Sequence, residues 1–186
     1  FIALMQKRKG NGDDTQISKI ELLMNQAGVA PTDRKVAVAA REKAEKTSGP
    51  AAAIELHNGE IVTGKTSELL GASSAMLLNA LKQLAGIPNE VNLISPLVID
   101  PICKLKINEL GHKNPRLHMD EVLVALSICA LTDINAKNAM EKLHELRGCE
   151  VHTSVILAQT DERVFRRLGV NLTCEAAYQT SKLYHE

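Results

Sequence analysis

Gly59-Glu60-Ile61-Val62-Thr63-Gly64-Lys65-Thr66 spells Gly-x-x-x-x-Gly-Lys-Thr, the spacing of a phosphate-binding loop. In such a loop successive main-chain N–H groups wrap a phosphate and the lysine reaches its outer oxygens. The segment must therefore curl and lead straight into a helix. Here the interior is the β-branched run Ile61-Val62-Thr63, and the next helical pattern opens only at Ser73. The motif reads as strand sequence that matches by coincidence.

Four other groups of residues carry potential chemistry. Gly71-Ala72-Ser73-Ser74 places small residues and two hydroxyls where a helix begins, so Ser73 and Ser74 are candidate anion ligands as well as candidate caps. His144, Cys149, His152 and Cys174 are acceptable metal-ligand types. They form only one loose pair, and Cys149 and His152 face opposite sides of a regular strand, so no metal site is assigned. A Cys–His nucleophile would need electropositive surroundings, which only Arg147 offers in sequence. Val151–Leu157 is β-rich and leads through Gln159, Thr160 and Asp161 into a helix bearing Arg163, Arg166 and Arg167. Ligands of doubly wound sheets sit at such strand exits, which makes Thr153 and Thr160 candidate ligand contacts. His152 is the candidate acid–base residue, because imidazole titrates near neutrality. The basic, turn-rich loop from His112 through Arg116 to His118 is a candidate for substrate contact.

The elements that must position these residues emerge from patterning. Of 186 residues, 45% are hydrophobic and 24% charged, with 22 basic residues balancing 22 acidic ones. That suits a domain with its own core. Zero net charge and 2% aromatics give no electrostatic hold on duplex nucleic acid and no stacking platform for single strands. Four scattered cysteines without Cys-x-x-Cys point to a reducing cytoplasm, and Cys129, inside an apolar run, reads as a buried thiol. The longest apolar stretch, Val122 to Leu131, falls short of the ~18 residues a membrane span needs.

Ile17, Ile20, Leu23, Met24 and Ala27 recur at helical spacing before Gly28. A charged, alanine-rich helix is expected from Pro31 to about Lys46. Ala52–Leu56, Asn58-Gly59 and Ile61–Thr63 predict a hairpin with a type I′ turn. A nearly all-apolar helix runs from Ser73 or Ser74 to Ala85, with Gly86 behind it. Val91–Ser95 reads as a strand, and Pro101 interrupts the segment beyond it. Helices are expected from Asp120 to near Leu131 and from an Asn135 cap to Gly148. Last come the strand Val151–Leu157, a helix Asp161–Leu168 before Gly169, and the strand Val170–Thr173, in βαβ order.

Leu93-Ile94-Ser95-Pro96, the run Glu121-Val122-Leu123-Val124-Ala125-Leu126-Ser127-Ile128-Cys129-Ala130, Gly148-Cys149-Glu150-Val151-His152-Thr153-Ser154 and Phe165-Arg166-Arg167-Leu168-Gly169-Val170-Asn171-Leu172-Thr173-Cys174 are long ordered strings. Through them the chain resembles the C-terminal part of a bacterial family, the domain of unknown function 1846. The likeness covers most of the chain, least of all its first dozen residues. It implies a longer protein whose upstream portion carries a glycine-rich, phosphate-loop-like stretch, so that nucleotide chemistry would centre there. It transfers no catalytic residue to this sequence.

The expected fold is α/β, with helices layered around a small mixed sheet, one β-hairpin and a C-terminal βαβ-like unit. An exposed lead-in over 1–14, a single domain over 15–174 and a tail over 175–186 are expected. A chain opening at Phe1 rather than Met reads as a fragment, the C-terminal half of a cytoplasmic protein. Its expected role is to pack against the N-terminal half, or against another copy as a homo-oligomer, and to shape a ligand cleft there. The rival reading is a phosphate- or nucleotide-dependent enzyme site completed by the other half, using Ser73, Ser74, His152, Thr153 and Thr160. No nucleic acid or membrane partner is expected, and no cofactor is indicated.

Overall fold

In the computed structural model, which describes residues 1–179, the alanine-rich run at 51–55 becomes a central strand of a four-stranded sheet. The strands are β1 (Ala51–Glu55), β2 (Ile61–Lys65), β3 (Glu150–Thr153) and β4 (Asn171–Cys174), in the order β2-β1-β3-β4. β1 runs antiparallel to both neighbours, whereas β3 and β4 are parallel. The helices are α1 (Ile2–Arg8), α2 (Asp14–Ala27), α3 (Lys35–Thr47), α4 (Ala72–Ala85), α5 (Pro96–Lys104), α6 (Met119–Cys129), α7 (Ile134–Glu141) and α8 (Gln159–Leu168). The expected α/β class, hairpin and β3–α8–β4 unit are all present.

Strand alternation gives the sheet two unlike faces. Ala52, Ile54 and Val151 enter the main core with Met76 and Leu81 of α4, Leu126 of α6 and Phe165 of α8. Ala53 turns the other way and packs under α3 against Val36 and Ala40. Alanine suits this strand because a small side chain lets α3 lie close. In the same row as Ala53 stand His152 and Thr173, so the α3 face is small and polar where the other is apolar.

The phosphate-loop spelling is strand, as expected. Gly64 and Lys65 lie in β2, and Thr66 N–H extends the pairing to Pro50 O at 2.9 Å. The hairpin turn differs from expectation. Leu56 N–H donates to Glu60 O and Gly59 N–H to Leu56 O, and Gly59 has φ 83°. Asn58 is not among the positive-φ residues, so the turn is not type I′. It is a three-residue loop with a glycine bulge, and Asn58 instead spends its side chain on Glu60, accepting from its N–H and donating to its carboxylate.

Other expectations are corrected by packing. Val91–Ser95 forms no strand; Leu93 and Ile94 are buried from a loop, and Ser95 caps α5 by accepting from Leu97 N–H. Pro101 lies within α5, which continues past it and widens into a π turn over Leu105–Glu109. The missing proline N–H removes one helix bond, and burial of Ile99 and Cys103 on either side holds the helix together. Asp133, not Asn135, caps α7, and that helix stops at Glu141 before a 3₁₀ turn over Leu143–Leu146. β3 covers only Glu150–Thr153 of the run expected to 157. Cys129 is half-buried, whereas Cys103, Cys149 and Cys174 are buried. Of the region 175–186, residues from 180 onward lie outside the described residues. Among the described residues, no helix is long and apolar enough to cross a membrane.

Candidate functional site at the carboxyl edge of the sheet

Because β1 alone is reversed, the carboxyl ends of β2, β3 and β4 share one edge of the sheet. α4 comes after β2 and α8 after β3, so both helices begin at that edge. Side chains tie the start of α6 to the same place. Met119 N–H donates to Asp161 Oδ1 of α8 at 2.9 Å, and Ser74 Oγ of α4 donates to Leu117 O at 3.1 Å. Leu117 N–H also donates to Leu69 O at 3.0 Å. Three helix N-termini thus converge, and their dipoles make the region favourable to negative charge.

His118 stands at the junction, half-buried, with Nδ1 3.5 Å from Asp161 Oδ1. Its pKa is raised, first by the hydrogen bond to Asp161 and against the opposing effect of burial. The loop leading to it is fixed by a buried cation. Lys106 Nζ donates to Arg116 O and to Glu121 Oε2, both at 2.7 Å. The same Glu121 oxygen accepts His118 N–H at 2.7 Å, closing the first turn of α6. Arg116 Nε donates to Ser67 O at 2.6 Å, joining this loop to the one before α4. An imidazole beside a carboxylate can hold or pass a proton, and the helix ends around it can orient an anion.

The sequence candidates divide between two places. Ser73 and Ser74 start α4, Thr153 ends β3 and Thr160 lies in the first turn of α8, all toward the carboxyl edge. Neither serine caps α4: Gly71 is the N-cap, and both serines lie buried inside the first turn. Thr153 Oγ1 donates to Val155 O at 2.8 Å. His152 points to the opposite face, beneath α3. None of the five lines either of two surface clefts, one of about 400 Å³ beside Arg34, Glu55 and Glu150, the other of about 310 Å³ between α1 and β4.

His152 is fully buried in a network of its own. Nδ1 meets Thr173 Oγ1 at 2.8 Å and Nε2 meets Glu175 Oε1 at 3.2 Å, while the Phe1 ring stands edge-on at 4.7 Å. Arg41 Nε lies 2.8 Å from the same Glu175 oxygen, at an angle that makes no hydrogen bond. Arg34 binds Thr173 Oγ1, Glu150, Val151 O and Asn171 O. Burial, opposed by Glu175 and aided by the two arginines, pushes the His152 pKa down to about 4. Burial likewise raises the Cys149 thiol and takes Cys174 to about 11, so neither is a ready thiolate. His152 and Cys174 also lie on opposite sheet faces, and Cys149 Sγ is turned to Glu145 O at 3.7 Å.

The two histidines should move stability in opposite directions with pH. His118 gains affinity for its proton on folding, so its contribution is complete below about pH 6.5 and fades as pH rises through its higher native value. His152 loses affinity on folding, so the native state weakens as pH falls from about 6.5 toward about 4. Imidazole proton shifts should show one histidine titrating above the ordinary value and one near 4. Asp161→Asn should return the first to the ordinary range and leave the second unmoved.

Of these groups, His118 was legible only as the end of a basic loop. The spacing His118-x-x-Glu121 before an apolar run does carry a capping signal. Nothing local marks Asp161 as its partner, or Arg34, Thr173 and Glu175 as a cluster.

The architecture is an α/β domain with a four-stranded mixed sheet whose carboxyl edge gathers helix N-termini. The chain belongs to the family described as Domain of unknown function DUF1846, C-terminal, whose model matches residues 32–184. It is 51% identical over its full length to a UPF0371 protein of Corynebacterium aurimucosum and 50% identical to one of Corynebacterium glutamicum. It is 53% identical over 93% of its length to a UPF0371 protein of Streptococcus pneumoniae. The chain spans 35–38% of the length of these curated relatives.

Proposed function

We propose that this chain is the C-terminal domain of a longer bacterial protein, and that it docks against the preceding part through α2 to shape a ligand cleft. The carrying observation is α2 itself. It has an Asp13 cap and an αL Gly28, yet not one of its 14 residues is buried. Leu22 and Leu23 are 58% and 62% exposed, and Ile20 and, just past the helix, Val29 are exposed as well. A helix gains most of its stability from burying an apolar face, and among the described residues this one only partly covers Ile17 and Met24. The family match begins at residue 32, after α2, and the relatives are far longer than this chain. Both features support the preceding part of the protein as the occupant.

Co-expression of the preceding part and this chain as separate polypeptides tests the docking. The two should co-purify in equal amounts, and Leu22→Glu with Leu23→Glu should abolish the association. The same changes should alter the melting of this chain little, within about 0.5 kcal/mol, because both side chains are already in solvent. Association that survives the double change, or self-association of this chain through α2, would overturn the reading.

A further inference from the structure

We infer that the outward face of α6, continued by the start of α7, is where a second copy of this chain docks, the two α6 helices crossing antiparallel about a two-fold axis near Ile128. Val124, Ile128 and Leu131 recur at spacings of four and three, so they share one side of the helix and its end. They are 60%, 53% and 82% exposed, and Ile134, which opens α7, is 64% exposed. The other side of α6 is spent on the core through Val122, Ala125 and Leu126. No charged residue falls between Val122 and Thr132. Ser127, beside the stripe, donates its hydroxyl to Val124 O at 2.7 Å within the helix. Other outward helix faces differ: α3 exposes Glu42, Glu45 and Lys46, and α8 exposes Arg163, Arg166 and Arg167. A helix that is apolar all round is one that is covered all round.

A second copy fits this face by size and by charge. On these exposures the four side chains offer roughly 400–500 Å² of apolar surface, past the few hundred at which a patch marks an interface and about half of what each partner of a stable dimer buries. Pairing the stripe with itself opposes no like charges along its length. At one end stands the exposed Asp120, and at the other the exposed Lys137, one turn beyond Ile134. An antiparallel two-fold pairing sets each Asp120 toward the other copy's Lys137, so the rim is attractive at both ends. Asp133, also at that end, is already held by the Asn135 and Ala136 N–H groups that it caps. The face is separate from the one assigned to the preceding part: α2 leans on α1 beside the edge strand β4, whereas α6 packs on α4, α7 and α8.

The test uses the full-length protein, with its preceding part attached, in sedimentation velocity over a micromolar concentration series. The wild type should sediment as a dimer that dissociates on dilution. Ile128→Glu with Leu131→Glu should weaken the dimer ~100-fold or more, as enclosing unpaired carboxylates does. Both side chains are exposed, so far-UV circular dichroism and the melting temperature of the monomer should be unchanged. Asp120→Lys alone and Lys137→Asp alone should each weaken the dimer severalfold, and the two together should restore it. A wild type that stays monomeric throughout the series overturns the inference, as does a dimer unchanged by the two glutamates. Single charge changes whose losses simply add overturn the antiparallel pairing. Leu22→Glu with Leu23→Glu should leave the dimer intact, which separates this inference from the docking through α2. Loss of co-purification of the preceding part when Ile128 and Leu131 are changed would hand the stripe to that part instead, and overturn the second copy as its occupant.

Discussion

Gly64→Ala should cost about 4 kcal/mol or more, enough to bring most of the protein into the unfolded or insoluble fraction. A Cβ at residue 64 would sit 2.7 Å from Ala72 O and 2.5 Å from Met76 Cα, and closer still to Met76 N. All three are backbone atoms of α4, so no rotamer change can relieve the clash. The helix would have to lift from β2, opening the core around Met76, Leu77 and Leu81. Lys65→Ala, one residue on, should change stability by less than about 0.5 kcal/mol because its side chain is exposed. Chemical denaturation of the two variants checks both. The contrast separates this strand from a phosphate loop, where glycine and lysine would serve one ligand together.

Glu121→Ala should destabilise by about 3–5 kcal/mol, the usual result of stranding a buried charge. Lys106 is 2% exposed, and among the described residues its ammonium has only Glu121 and the Arg116 carbonyl as partners. Removing the carboxylate also deprives the His118 N–H of its acceptor. Lys106→Met should be far milder, about 1–2 kcal/mol, because an apolar chain of similar length fills the same space and leaves Glu121 free to keep the cap. Adding Lys106→Met to Glu121→Ala should therefore recover stability. A double-mutant cycle in denaturant gives the coupling, and additive costs would show that the pair is not the link between the π turn and α6.

Much of the fold is legible in local chemistry. Gly28, Gly86 and Gly169 end α2, α4 and α8 in the left-handed conformation that the sequence marks for them. The order of β3, α8 and β4 emerges from alternating patterns. Where reading fails, two signals coincide. Val91–Ser95 has the apolar, β-branched, proline-bounded look of a strand, yet those side chains are wanted as plugs for the core and the backbone bends instead. At α7 both Asp133 and Asn135 are capping types, and only the structure tells which carbonyl lies outside the helix. The candidate site is less legible because its contacts are long-range. Asp161 meets His118 and Met119 across some 42 residues of chain, and no periodicity encodes that. Ser73 is visible as a helix-start serine, but its burial inside the first turn is a property that only packing decides.

The Arg34 guanidinium bears on the order in which this chain assembles. It stitches β3 to β4 through Val151 O, Asn171 O and Thr173, at separations of 117, 137 and 139 residues. The chain entropy lost in closing loops of that length comes before any reward from the bonds themselves. The hairpin β1–β2 and the adjoining α4 need only short closures and are free to form early. The Arg34 stitch belongs to the last stage of folding, when α3 finds β4. By the same reasoning it is the first tie to give way, so β4 should part first while α3, packed on Ala53 of β1 across a short connection, stays with the hairpin and α4.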